Sequence, residues 1–368
     1  MSGNDFDTGI LIPAVIKYLG SKRALVPVLG ALACAVEART AVDLFTGTTR
    51  VAQELKRRGI AVTAVDLATY SEALSQCYIA TDGAAVDVSA LDEALAELSR
   101  LPGRRGYFTE TFCESARFFQ PRNGMRVDAI RDELEASYAG SPLFPILLTA
   151  LMLAADRVDS TTGVQMAYLK EWAPRAHRDL ELRRPELIPG CGRSIRGDAS
   201  AIVGELPRAD LAYVDPPYNQ HRYFTNYHVW ETLVRWDAPA HYGVACKRID
   251  SRDDATKSVF NRRAEMPGAL RSVLSRLSAD VVVVSYNDEA WVAPDDIARW
   301  LLDAGHEDVG MLAFDSRRYV GAQIGIHDRS GRKVGQVSHL RNLEHLVIAG
   351  PNDKVAAAVA AARATCGA

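Results

Sequence analysis

The sequence predicts an α/β fold, an open and mostly parallel sheet with helices packed on its faces. Three observations carry this. Ala41-Val42-Asp43-Leu44 and Ile60-Ala61-Val62-Thr63-Ala64-Val65-Asp66 read as strands, joined by a Gly/Thr turn and a helix over Arg50 to Arg58 that Gly59 closes. Two more apolar runs, Asp210 to Val214 and Val281 to Asn287, have strand length and β-branched or aromatic content. The residues best suited to chemistry follow such runs: Gly47 and Thr48 after the first, Asp66 at the end of the second, and Asp215-Pro216-Pro217-Tyr218 after the third. Open α/β sheets bind their ligands at the carboxyl ends of strands.

With 368 residues the chain is long enough for a large core and one or two domains. At 48% hydrophobic and 24% charged residues its composition is that of a globular protein. The net charge of -3 excludes a globally basic nucleic-acid binder, so any polyanion contact must come from local patches. The six cysteines, at 34, 77, 113, 191, 246 and 366, contain no CxxC pair, and neither a metal site nor a disulfide framework is expected. The acidic start, Met1 to Asp7, lacks a signal-peptide pattern, and the expected location is cytoplasmic. The longest apolar run, Leu143 to Ala155, is too short to span a bilayer and reads as a buried helix.

Taken in order, the chain first offers Lys17-Tyr18-Leu19-Gly20-Ser21-Lys22 before a helix over roughly 24–37. The segment is open to two readings, a loop around an anion or a turn that caps the helix through Ser21. Next comes the βαβ unit. Gly47 is the only glycine in its first turn, and Asp66 follows about 20 residues later, the ribose-binding spacing of nucleotide folds. A single adenosine-type cofactor fits this turn better than a dinucleotide. A helix is expected within Val86 to Arg100, with a capping box beginning at Ser89. From Tyr107 to about Arg196 the patterns are helical, which suggests a helical insertion into the sheet.

The flank of that insertion carries Lys170, Arg175, Arg178, Arg183, Arg184, Arg193 and Arg196, interleaved with acids. It reads either as a phosphate-contacting patch or as a solvated mixed-charge face. The sheet resumes near Gly197-Asp198-Ala199. Asn219 to His228 reads as a mobile loop leading to a helix through Trp230 and Leu233. Lys247-Arg248, Arg252, Lys257, Arg262 and Arg263 have weak structure signals and suggest a segment that meets a polyanion. A helix over Pro294 to Ala304 is closed by Gly305. Tyr319 to Ile326 and His345 to Ile348 read as late antiparallel strands around Ser330-Gly331, and an Ala-rich helix or tail follows Asn352.

The chemistry concentrates at Asp215-Pro216-Pro217-Tyr218. Neither proline has an N–H, so the loop is stiff and its carbonyls are free to accept. An exocyclic amine of a nucleobase is a poor nucleophile because its lone pair is delocalised. A carboxylate accepting one N–H and a carbonyl accepting the other would hold it pyramidal, and a neighbouring ring would stack on the extruded base. Asp215, the Pro216 carbonyl and Tyr218 supply these parts, and no metal is needed.

In these motifs the sequence resembles the Dam-type, DPPY-containing DNA adenine methyltransferases of the α group, and is similar to members found in restriction–modification systems. The resemblance follows the order of elements over nearly the whole chain. It implies a Rossmann-like class I methyltransferase sheet, residues 1–85 with 195–368, carrying a helical target-recognition insertion at 86–194. It implies S-adenosyl-L-methionine as cofactor, bound by Tyr18, Gly20 and Lys22 of the first loop, by Asp43, Phe45, Gly47 and Thr48 of the turn, and by Asp66, Asp198 and Asp215. Asp215, Pro216, Pro217 and Tyr218 are then the catalytic residues, double-stranded DNA the substrate, and a cognate restriction endonuclease or defence-system protein a possible partner. Tyr223, Asn226-Tyr227-His228 and Glu231-Thr232 also follow the restriction–modification members. Thr49 stands where many relatives have glycine. The alternatives are an enzyme of the same fold acting on RNA, which Asp215 does not exclude, or on another amine acceptor, where cytosine goes with Ser or Thr and protein glutamine with Asn in place of Asp215, and an inactive DNA-binding regulator on the same scaffold.

Overall fold

The structure, a computed structural model, describes residues 16–18, 22–217, 222–288, 290–317 and 341–366. Helix α1 (Val26–Ala35) leads into β1 (Thr40–Leu44), α2 (Arg50–Arg57), β2 (Ala61–Asp66) and α3 (Thr69–Ser75). Helices α4 (Val88–Arg100), α5 (Tyr107–Thr109, continued as a π-helix to Ser115), α6 (Pro121–Tyr138) and α7 (Phe144–Arg157) follow. The sheet resumes with β3 (Arg193–Arg196), then α8 (Ala199–Ile202) and β4 (Ala209–Val214). Helices α9 (Tyr223–Asn226) and α10 (His228–Arg235) precede a two-stranded hairpin, β5 (His241–Tyr242) and β6 (Lys247–Arg248). Last come α11 (Met266–Arg276), β7 (Ala279–Asn287), α12 (Pro294–Asp303), β8 (Asp308–Arg317), β9 (Arg341–Gly350) and α13 (Asn352–Cys366).

The main sheet has seven strands in the order β3-β2-β1-β4-β7-β9-β8. The first five are parallel, and β9 runs antiparallel to both β7 and β8. Because strand side chains alternate between faces, a strand covered on both sides must be apolar throughout. Along β7, Val281 and Val283 enter the core on one face, and Val282 and Val284 enter the core on the other. The first core joins the sheet to α1, α2, α6, α7 and α13 without a break, and α8, α11 and α12 cover the second face. The strand order reverses between β1 and β4, which leaves a crevice above their carboxyl ends.

Several expectations are corrected. Helix α4 is capped by Asp87, which accepts from the Ala90 N–H at 3.1 Å, and not by Ser89, which lies inside the helix. The helical pattern ends at Arg157; residues 158–192 are irregular apart from a 3-10 turn at Pro174–His177. Gly163, Pro174, Pro185 and Pro189 break helices there. Arg193–Arg196 is the edge strand β3, paired with Thr63 to Asp66, and not the tail of the insertion. Its polar, half-exposed side chains suit an edge. Among the described residues a strand that the sequence did not suggest, β8 at Asp308–Arg317, precedes β9; the strand expected at Tyr319 to Ile326 and the turn at Ser330-Gly331 lie outside the described residues. Part of the loop expected over Asn219 to His228 is the short helix α9. Helix α7 is buried almost all round, and among the described residues no helix is long and apolar enough to cross a membrane.

Candidate active site

The crevice holds a cleft of about 440 Å³ whose walls include Tyr18, Lys22, Phe45, Asp66, Asp198, Asp215, Pro216 and Pro217. These eight residues come from five separate stretches of sequence, and the sheet topology brings them together. Asp43, Gly47 and Thr48 lie behind the wall: Asp43 and Thr48 are buried. Gly20 and Tyr218 fall outside the described residues.

The turn after β1 is held by two carboxylates. Asp66, at the end of β2, accepts from the Gly47 N–H at 2.8 Å with one oxygen and from the Ala68 N–H at 2.9 Å with the other. A carboxylate offers about four acceptor positions, so both oxygens keep capacity toward the cleft. Burial raises the Asp66 pKa, against the pull of these N–H donors. Asp43 accepts from the Thr46 hydroxyl at 2.7 Å and the Ala52 N–H at 3.2 Å through Oδ2. Its Oδ1 is buried and has no hydrogen-bond partner among the described residues. Burial pushes the Asp43 carboxyl up to about 7. The turn itself is left-handed at Phe45, Gly47 and Thr49, with φ of 76°, 53° and 63°. A Cβ on Gly47 would stand 3.2 Å from the Tyr18 ring. The turn therefore needs glycine there for conformation and for space. Thr49, by contrast, carries its side chain in the left-handed region, tied to the Thr48 carbonyl at 2.7 Å and to Gln53 at 2.9 Å.

Asp215 extends from the end of β4. Its Oδ1 lies 3.1 Å from Lys22 Nζ, and the same ammonium bonds Glu344 of β9. Glu344 also accepts from the Ser285 hydroxyl at 2.8 Å. Two carboxylates thus share one ammonium at the floor of the cleft. Burial pushes Asp215 up to about 6; Lys22 opposes this and the Glu344 charge adds to it. Lys17 is turned away from the cleft, bonded to Asp156 at 2.9 Å and Asp159 at 3.3 Å. Both lysines of the first loop therefore face carboxylates; Leu19 to Ser21 between them lie outside the described residues.

Tyr18 is stacked on Tyr227 (4.7 Å between centroids, 18° between planes) and on Tyr223 (5.3 Å, 28°), and Tyr70 donates to its hydroxyl oxygen at 3.3 Å. This pile ties the first loop to the helices that follow the Asp-Pro-Pro stretch. Glu231 is buried and accepts from the Thr69 N–H at 2.9 Å, joining α10 to the start of α3. The sequence singled out Tyr223, Tyr227 and Glu231 only by resemblance, and it missed Glu344 and Ser285 beside Lys22 as well as Phe260 and Asn261, which line the cleft. No local signal marks Glu344: it sits mid-strand, and its role is set by Lys22, 322 residues earlier.

The basic segments are mostly neutralised. Arg175 pairs with Asp159 at 2.7 Å, Arg184 with Asp92 at 3.1 Å and Arg196 with Glu72 at 3.5 Å. Arg248 is 1% exposed and clamped by Asp237 and Asp250, so it is a structural residue and contacts no polyanion.

Comparison with known proteins agrees with this geometry. Residues 18–295 match the family described as D12 class N6 adenine-specific DNA methyltransferase. The chain is 28% identical over 258 residues to the Type II methyltransferase M.NlaIII of Neisseria lactamica, covering 67% of this chain and 74% of that one. It is 27% identical over 278 residues to the Type II methyltransferase M.CviAII of Paramecium bursaria Chlorella virus 1, covering 73% and 81%. To the modification methylase StsI of Streptococcus sanguinis it is 25% identical over 307 residues, 78% of this chain but only 46% of that longer protein. The chain belongs to the D12 class of N6 adenine-specific DNA methyltransferases, with S-adenosylmethionine as its cofactor and DNA as its substrate.

Proposed function

We propose that the cleft is where S-adenosylmethionine and an extruded adenine meet, with Asp215 shaping the adenine amine. The observation that carries this is the shared cleft: Asp215 and the Pro216 backbone stand in the same wall as Asp66, Phe45 and Asp198. The residues suit the cofactor. Asp66 keeps acceptor capacity for ribose hydroxyls, and Tyr18 and Phe45 offer apolar faces. The unpartnered Asp43 Oδ1 is an acceptor matched to the cationic amino-acid end, directly or through water. Asp198 faces the same space from the loop before α8.

Bound S-adenosylmethionine supplies a methyl group made electrophilic by its sulfonium. Lys22 fixes one oxygen of Asp215 and leaves Oδ2 to accept an N6–H of adenine. The Pro216 carbonyl accepts the second N6–H, so the nitrogen lone pair turns toward the methyl. On taking the methyl group from the sulfonium, N6 would gain positive charge and shed one proton. Asp215, raised to about 6, is a competent receiver that returns to its ionised form at neutral pH. Tyr218 is proposed to stack on the extruded base, and residues 86–192, which end before edge strand β3, to serve target recognition.

By likeness to the Type II methyltransferases, the chain is proposed to modify a short DNA site in the cytoplasm and to protect it from a cognate restriction endonuclease. The test is to incubate the protein with S-adenosylmethionine and mixed-sequence duplex DNA and then sequence the product for N6-methyladenine. Methylation is expected at adenines in one short motif. Asp215→Ala is expected to lower the rate by at least about 10²–10³-fold while DNA binding persists, since phosphate contacts dominate affinity. Undiminished methylation by the variant refutes the mechanism.

A further inference from the structure

Beside the cleft lies a second depression of about 490 Å³, lined by Arg222, Lys247, Arg252 and Lys257 together with Thr225, Asn226 and Ser251. No carboxylate belongs to its lining. Lys257 pairs with Asp254 at 2.7 Å outside it. Among the described residues, Arg222, Lys247 and Arg252 form no ion pair, whereas Arg175, Arg184, Arg196 and Arg248 are each paired with a carboxylate. The hairpin explains how one of them is spared. Neighbours on a strand point to opposite faces. In β6, Arg248 points inward to two carboxylates, while its neighbour Lys247 lines the depression. Arg252 is held over the Tyr242 ring, 3.8 Å from the centroid, and Tyr242 is tied to Ser251 by a 3.0 Å hydroxyl contact. A guanidinium braced on a ring needs less ordering to meet an anion.

The depression is continuous with the catalytic cleft through the chain. Arg222 directly precedes Tyr223, and Lys257 lies between Thr256 and Ser258; Tyr223, Thr256 and Ser258 all line the cleft. Unpaired cations and hydroxyl or amide donors in one concave site match a phosphodiester better than any neutral ligand. We propose that this depression grips backbone phosphates of the target strand next to the extruded adenosine, so that one wall binds the flipped base and its far side binds the flanking backbone. The proposal rests on the adenine-methyltransferase reading.

The experiment measures binding of a fluorescent duplex containing the methylation site across a salt series, with cofactor affinity by calorimetry. Each phosphate contact contributes about 0.9 to the slope of log affinity against log salt. Lys247→Gln with Arg252→Gln is expected to lower the slope by roughly 1.8 and to weaken DNA binding by on the order of tenfold or more, with S-adenosylmethionine affinity unchanged. Arg208→Gln removes the same kind of charge just before the opposite end of β4 and is expected to leave the slope as it was. If the double variant loses cofactor affinity and so reports misfolding, single Lys247→Gln is expected to lower the slope by about 0.9. A wild-type slope in the folded variants overturns the proposal while wild-type methylation keeps the underlying reading intact. A wild-type protein that binds cofactor yet methylates no DNA overturns both.

Discussion

Asp215, Glu344 and Lys22 form a trio in which one positive charge serves two negative ones, and this sets the pH response of the site. The other titratable groups acting on Asp215 are Asp43, Tyr213 and Tyr223, and burial holds both tyrosines neutral well past pH 9. In the proposed mechanism methyl transfer needs the Asp215 carboxylate, so the rate should rise with pH through about 6 and then level. Glu344→Gln removes a negative charge that raises the Asp215 pKa, so the acidic limb should move to lower pH. A limb that stays in place in the pH–rate profile would free Glu344 from this role. At the turn, Gly47→Ala meets both a positive φ and the Tyr18 ring. Its cost of about 1–2 kcal/mol predicts roughly tenfold weaker S-adenosylmethionine binding by calorimetry.

Among the elements, the βαβ unit, β4, β7 and α12 were readable because their apolar periodicity and their glycine stops agree with the tertiary structure. The misread elements are those whose identity is tertiary. β3 is polar and short, and becomes a strand by pairing with β2. In β8, Gly310 is close-packed beneath α13, where a Cβ would stand 2.6 Å from Val359. Within the candidate site, the carboxylates at strand ends were legible from motif and position, while Glu344 and the tyrosine pile were set by partners far away in sequence. A further tertiary device is Asp128 of α6, which accepts from the N–H groups of Gly106, Phe108 and Thr109 at 3.1, 2.9 and 2.8 Å and so caps α5. Asp128→Ala strands buried donors and should cost about 2–3 kcal/mol. Hydrogen exchange should show amides of residues 107–115 losing protection before those of the sheet.

For the molecule as a whole, buried Asp43 and partly buried Asp215 carry a stability signature. Asp43 at about 7 and Asp215 at about 6 both lie above the ordinary aspartate value of 3.8. The folded state therefore binds more protons than the unfolded state between those limits. Stability from this source is full below the unfolded value and is lost as pH rises through 6 and 7. The unliganded protein should melt several degrees lower at pH 8 than at pH 5. In the proposed seating, S-adenosylmethionine would bring positive charge to the same carboxylates, so its stabilising effect should be larger at pH 8. A melting temperature independent of pH would contradict this.

The bond from Lys22 to Glu344 also has a consequence in time. These residues are 322 positions apart, and β9, which carries Glu344, slots between β7 and β8. At about 5–20 residues per second on the ribosome, roughly 15–60 s separate the emergence of the two. Over the last part of that interval, after Asp215 has emerged, the growing chain holds Asp215 and the turn after β1, yet the ammonium beside Asp215 lacks its second anchor. Methylating capacity should therefore switch on late and all at once in synthesis, and a nascent chain halted before β9 should be inactive.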